Sequence, residues 1–217
     1  MRRRVVITST SRLPRGPMFV DTPRYRLRMF SEDDRLAFVA YQSDPRYLAL
    51  YGPDSASPRH AHALFDRFLS WTEARGPNRQ VGVFDRRSGS LIGCAGLRRE
   101  GMPARMAEFG LELAPDMWGR FAVAVEVTAA VLDFGFGESG LQTVIGTTAS
   151  ENRRVERIAR WFGASVVERR TGPRWMTERG WDEVVWALTG DAWKGSPGRH
   201  QLQRRELLRV GRNWSTG

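Results

Sequence analysis

Between Gln80 and Phe136 the chain changes its apolar period, and that change limits what it can fold into. Gln80 to Asp85 and Ser90 to Leu97 are short apolar runs joined by Arg86-Arg87-Ser88-Gly89, with glycine late in the loop as a hairpin turn favours. A third strand, Ala107 to Leu113, follows a loop containing Gly101 and Pro103, and Ala114-Pro115 stops it. Met117 to Phe121 then leads into a long helix, roughly Ala122 to Phe136, ended by Gly137 and Gly140. Leu141 to Thr148 reads as another strand, Asn152 to Phe162 as another helix, and Ala164 to Arg169 and Val184 to Leu188 close the sheet. Antiparallel strands first and a strand–helix–strand crossover later define a mixed α/β (α+β) domain.

Upstream, Tyr25-Arg26-Leu27-Arg28-Met29-Phe30 alternates apolar with polar, as a half-buried strand does. Ser31-Glu32-Asp33-Asp34 supplies an N-cap with acids in the first turn, and the helix it opens is expected to bury Leu36, Phe38, Val39 and Tyr41. Asp44-Pro45 and Gly52-Pro53 read as breaks. A second helix starts near Ser57-Pro58, with Ala61, Leu64, Phe65, Phe68, Leu69 and Trp71 at helical spacing, and Gly76-Pro77 ends it. The order is β, α, α, β, β, β, α, β, α, β, β. The expected organisation is a basic, loose arm over residues 1–22, one domain over 23–190 and a basic C-terminal extension over 191–217. Leu202, Leu207, Leu208 and Val210 form a weak helical stripe in that extension, which is either solvated or packed on a partner subunit.

With 217 residues, 41% hydrophobic and 27% charged, the chain can bury a core and form one generous domain. No stretch approaches the roughly 18 uninterrupted apolar residues of a membrane span. A single cysteine, Cys94, excludes an internal disulfide framework, and Val5-Val6-Ile7 is too short to be the core of a signal peptide. The expected location is the cytoplasm. A net charge of +10 would ordinarily suggest nucleic acid or another acidic partner. Yet Lys194 is the only lysine among 34 basic residues, and such a skew fits arginine-rich codon usage as well as it fits phosphate contacts. The arginines are also spread along the chain, so no nucleic-acid partner is expected.

Two stretches and a helix together carry a family likeness. Ala107-Glu108-Phe109-Gly110-Leu111-Glu112-Leu113-Ala114-Pro115-Asp116-Met117-Trp118-Gly119-Arg120 is followed by Glu126-Val127-Thr128-Ala129-Ala130-Val131-Leu132-Asp133-Phe134-Gly135-Phe136. Glu151-Asn152 through Trp161-Phe162-Gly163-Ala164 adds the third piece. In this order the chain resembles the GNAT superfamily of acyl-CoA-dependent N-acetyltransferases, and within it the Rim-type branch that acetylates ribosomal-protein N-termini. The resemblance covers roughly residues 22 to 190. It implies a single domain whose mixed, mostly antiparallel sheet splays at its middle between flanking helices. It also implies acetyl-CoA as cosubstrate, no metal, and a primary amine as acceptor, either a peptide or protein N-terminus or a small molecule such as an antibiotic. A monomer or a homodimer would serve.

The physical basis is a helix N-terminus, which offers converging N–H groups and a favourable dipole to a diphosphate. The family's Gln/Arg-x-x-Gly-x-Gly/Ala turn falls, counted back from Glu126, on Gly119-Arg120-Phe121-Ala122-Val123-Ala124, with alanine at both close-approach positions. Counted instead from Trp118, Phe121 takes the glycine position and would block the phosphates. By resemblance, Leu111 and Leu113 offer unpaired backbone groups to the pantetheine arm, and Asn152 bonds near its acyl end. Asn152 also suits an ordinary N-cap. A carboxylate must accept the amine's proton. Glu108 is the first candidate, Glu112 shares its strand parity, and Glu168 is the third; any of the three could equally be a solvated strand glutamate.

Val155 and Ala159 stand where branches of the family carry serine or tyrosine, which leaves no obvious donor to the leaving thiolate and keeps a catalytically weak or non-catalytic binding module as one rival function; a ribosome- or RNA-associated basic protein, supported by charge alone, is the other. Cys94, in apolar Leu91-Ile92-Gly93-Cys94-Ala95-Gly96, reads as structural. His60 and His62 on one helix do not make a metal site. Trp175 in Gly172-Pro173-Arg174-Trp175 is a candidate wall of an acceptor groove, as is the loop near Gly52–Ser57.

Overall fold

The computed structural model describes residues 18–51, 57–73 and 77–203. Eight strands form one sheet: β1 (Phe19–Asp21), β2 (Tyr25–Met29), β3 (Arg79–Asp85), β4 (Leu91–Arg98), β5 (Met106–Leu113), β6 (Thr143–Ala149), β7 (Ser165–Thr171) and β8 (Asp182–Thr189). Their spatial order is β1-β2-β3-β4-β5-β6-β8-β7. Every neighbouring pair is antiparallel except β5 and β6, the strands joined by the crossover helix.

The helices divide between the two faces. α1 (Arg35–Gln42), α2 (Pro45–Tyr51) and α3 (Pro58–Glu73) enclose an aromatic core on one side, where Phe30, Phe38, Phe65 and Phe68 pack edge-on and stacked around Cys94. α4 (Phe121–Phe136) lies on the main core and buries Val123, Val127, Val131 and Leu132, joined there by Ile158 of α5 (Arg153–Trp161). α6 (Arg174–Thr177) and α7 (Gly190–Gly195) are short.

Local chemistry sets the ends. Ser31 donates its N–H to the Asp34 carboxylate (2.9 Å), which also takes two bonds from Arg28 at 2.7 and 2.8 Å, so α1 begins through a 3-10 turn tied to β2. On α1, Phe38 and Tyr41 are buried as expected but Leu36 is 81% exposed, because two residues before Phe38 and five before Tyr41 it falls on the opposite side of the helix. Pro45, expected to break the chain, is instead the first residue of α2, where its missing N–H costs nothing.

Residues on both sides of 23–190 pack against the sheet and helices between them. Phe19–Asp21, inside the arm expected over residues 1–22, pairs with β2. Beyond residue 190 the chain stays with the domain: Trp193 is buried, its ring edge-on to Phe162 and its Nε1 donating to Asp133 at 2.9 Å. Residues 1–17, 52–56, 74–76 and 204–217 lie outside the described residues, and with them Leu207, Leu208 and Val210, the break at Gly52-Pro53, most of the loop near Gly52–Ser57 and the helix end at Gly76.

Candidate active site

β5 and β6 pair over only three residues, Met106↔Thr143 to Glu108↔Ile145. Beyond them each strand keeps its outer partner, β5 with β4 as far as Leu113 and β6 with β8 as far as Ala149, while the two part from one another. Ala114 donates its N–H to Ile92 on β4 (2.9 Å). By antiparallel alternation Glu112 and Gly110 also turn their backbone groups to β4, and Phe109, Leu111 and Leu113 turn theirs into the gap. The Leu113 carbonyl is already taken, by the Tyr47 hydroxyl at 3.1 Å and the Trp118 indole at 2.8 Å. The free edge therefore centres on Leu111.

A cavity of about 930 Å³ opens at this gap. Its walls come from both faces of the sheet: Tyr51, Phe68 and Gln80 on the α1–α3 side, Ala124, Thr128 and Ile158 on the α4–α5 side. The opening thus passes through the sheet. Glu108, Leu111, Glu112, Ala124 and Asn152, all expected site residues, line it. Leu113, Gly119, Arg120, Phe121, Ala122 and Val123 do not.

The three glutamates differ sharply. Glu108 sits directly opposite Arg98 across β4 and β5, with contacts of 3.1 and 3.4 Å to both carboxylate oxygens. Gly110 makes this possible, since a Cβ there would meet the Arg98 guanidinium at 2.9 Å. Glu112 has no arginine partner among the described residues. Its Oε1 accepts from Tyr41 (3.2 Å) and from the Gln42 amide, and faces Cys94 at 3.9 Å. Burial pushes the Glu112 carboxyl above the ordinary carboxylate value, against hydrogen bonds from Tyr41, Tyr47 and Gln42. Burial likewise raises the Tyr41 and Tyr47 hydroxyls and the Cys94 thiol, so all three stay protonated at neutral pH. Glu168, the third candidate, lies exposed on the edge strand β7 beside Arg170 and outside the cavity wall. β8 comes between it and the gap, an order the local pattern does not encode.

At the head of α4 the turn is open. Gly119 has φ +83°, which glycine adopts without strain, and a Cβ there would lie 3.6 Å from the Arg154 guanidinium. Phe121 is the first residue of α4, and its ring packs on Trp161 of α5 (centroids 6.4 Å apart). The small pair divides: Ala124 and Thr128, four apart, look into the cavity, whereas Ala122 and Glu126 face the opposite flank. There Glu126 accepts from Thr22 (2.6 Å) and from the Arg24 side chain (2.8 Å), and Arg24 reaches the Ala122 carbonyl at 3.2 Å. Val123 bonds back to the Arg120 carbonyl (3.0 Å). Asn152 caps α5, its Oδ1 accepting from Val155 N–H at 3.2 Å. Arg154 was missed in the sequence. Only the approach of α5 to the α4 turn gives it a role there.

This arrangement, a sheet parted beside a helix entered through a glycine turn, coincides with a family match. Residues 24–165 match the model of the acetyltransferase (GNAT) domain. The chain belongs to the GNAT family. It is 28% identical over 141 residues to the uncharacterized N-acetyltransferase YoaA of Bacillus subtilis, covering 64% of this chain and 78% of that protein. Spermidine N-acetyltransferase of Vibrio cholerae, solved in complex with CoA and spermine, shares the fold at TM-score 0.66 and 17% identity, over 80% of this chain and all (100%) of that one. Ribosomal-protein-S5-alanine acetyltransferase of Vibrio fischeri does so at TM-score 0.64 and 14% identity, over 81% and 98%. This GNAT domain is an acetyl-CoA-dependent N-acetyltransferase, and the residues present suit that cosubstrate: an open strand edge at Leu111, a glycine turn, a helix N-terminus and Arg154 beside it. Among the described residues no His, Cys, Asp and Glu cluster is placed to hold a metal, and no helix is long and apolar enough to cross a membrane.

Proposed function

We propose that this N-acetyltransferase acetylates a primary amine, on a peptide or protein N-terminus or on a small molecule, by direct attack within a ternary complex, with Glu112 as general base. The observation that carries it is a carboxylate without an arginine on the wall of a cavity that passes through the sheet. Cosubstrate and acceptor enter such an opening from opposite faces and meet without a covalent enzyme intermediate. Bound acetyl-CoA supplies an activated acyl carbon. Leu111 and Arg154, with the Gly119 turn beside Arg154, would hold it, and Asn152 lines the cavity with Leu111 and Arg154.

An ammonium arriving at Glu112 must lose a proton before its lone pair can attack. The raised carboxyl value brings Glu112 closer to the amine's own, which eases the transfer. Tyr41 and Gln42 hold the carboxylate in place. As the C–N bond forms and the C–S bond breaks, the Leu111 N–H stabilises charge on the carbonyl oxygen. A second proton passes from the nitrogen to the leaving thiolate, which with a reference value near 8.5 needs no strong acid. Glu112→Gln is expected to lower kcat/KM by about 10²–10⁴-fold in an assay of CoA thiol release, and to abolish the acidic limb of the pH profile. An unchanged rate and limb would remove Glu112 from the mechanism.

A further inference from the structure

The acceptor side of the cavity is built from rings. Tyr51 at the end of α2 meets Trp175 of α6 edge-on at 5.1 Å, and Trp175 meets Trp181 edge-on at 6.4 Å; all three line the cavity and are partly exposed. Tyr51 also stacks on Tyr47 at 5.5 Å, which carries the ring series inward toward Glu112. Arg179 fixes the wall across two distant parts of the chain, donating to the Trp175 carbonyl at 2.5 Å and to the Ala49 carbonyl of α2 at 3.0 Å. Its guanidinium lies 5.6 Å from the Trp181 ring centroid, so that ring already has a cation beside it.

Charge along the same cavity is spent elsewhere. Of the four carboxylates on its wall, Glu108 is held by Arg98 (3.1 Å), Glu151 by Arg153 (3.6 Å) and Glu183 by Arg170 (2.6 Å). Glu112 alone has no arginine partner among the described residues. Arg154 adds a positive charge to the wall. One ammonium can be received at Glu112. A second or third, as in a polyamine, would meet paired carboxylates and arginines.

We infer that the acceptor is a primary amine carried on an apolar, aromatic body, with Trp175 and Tyr51 as specificity-determining residues that seat the body while Glu112 takes the amine. This rests on the acetyl-transfer reading above and narrows its acceptor. Two sources share the chemistry, a free arylalkylamine and a peptide whose first residue is aromatic.

The test compares kcat/KM of the full chain for 2-phenylethylamine, a tripeptide beginning with phenylalanine, spermidine and ethanolamine, by CoA thiol release. At least one phenyl amine is expected to exceed spermidine and ethanolamine by tenfold or more, and the better of the two identifies the source. Trp175→Ala should lower that value about 30-fold, the scale of losing a buried aromatic anchor, while changing ethanolamine turnover less than about threefold. Trp175→Phe should restore most of it. Retained thermal stabilisation by acetyl-CoA verifies that the variants fold. Preference for spermidine, or an equal loss for all acceptors in Trp175→Ala, overturns the inference. Absence of turnover with every amine would instead sink the acetyl-transfer reading. Thermal shift by 2-phenylethylamine with CoA bound then judges the ring wall: its loss in Trp175→Ala supports it, and an unchanged shift overturns it.

Discussion

Glu108 and Glu112 lie four residues apart on one strand face, yet they differ in the property that matters for proton transfer. Glu108 has its charge matched by Arg98 across the sheet, whereas Glu112 stands opposite Cys94 and between hydroxyls. Arg98 occupies both carboxylate oxygens of Glu108, and Glu108→Gln should leave kcat/KM within about threefold of wild type. The raised Glu112 value has a consequence for stability too. The folded state takes up that proton at higher pH than the unfolded chain, so its contribution is present at low pH and lost as pH rises from about 4.5 through the raised value. Urea melts from pH 5 to pH 8 should show wild type losing stability relative to Glu112→Gln, by about 1.4 kcal/mol for each unit of elevation. Parallel curves would mean that Glu112 is not held in a poorly solvated site.

Elements explain what positions these residues. The chain enters α4 through a glycine turn and α5 through an asparagine cap, and the two N-termini converge so that Arg154 reaches Gly119. Arg154→Ala should weaken acetyl-CoA binding about tenfold or more in calorimetry, the scale of one charge-assisted hydrogen bond, and flatten its salt dependence. Asn152→Ala should cost about 1 kcal/mol of stability by freeing the Val155 N–H. Most strands and long helices were legible because their periods are local: the hairpin at Arg86–Gly89 and the apolar set of α3 stand within a residue or two of their expected places. The short helices were not. α2 hid behind Asp44-Pro45, since proline serves equally well as a stop and as a first helical residue. α6 has four residues, too few to show a period.

At the scale of the whole molecule, the described residues form one packed unit across the sheet. Residues after 190 complete the main core, with Trp193 beneath α4 and Leu202 packed beside it. Trp193→Ala should lower stability by about 3–5 kcal/mol in denaturant titration, as loss of a fully buried ring does; a shift below 1 kcal/mol would return this segment to the surface. Tryptophan in a polar, basic stretch gives no periodic signal, so the segment reads as solvated. The sequence by itself determined the order of the longer helices and of the strands from β2 onward, the family and the segment where strand and helix meet, because backbone period, caps and turn residues act over a few neighbours. Tertiary structure alone decided which glutamate is left without an arginine, which alanine faces the cavity, that Arg154 meets the turn and that rings from α2 and α6 share a wall. Those outcomes depend on cross-strand register and on helix phase against the sheet, and the free energies that set both come from partners up to 130 residues away.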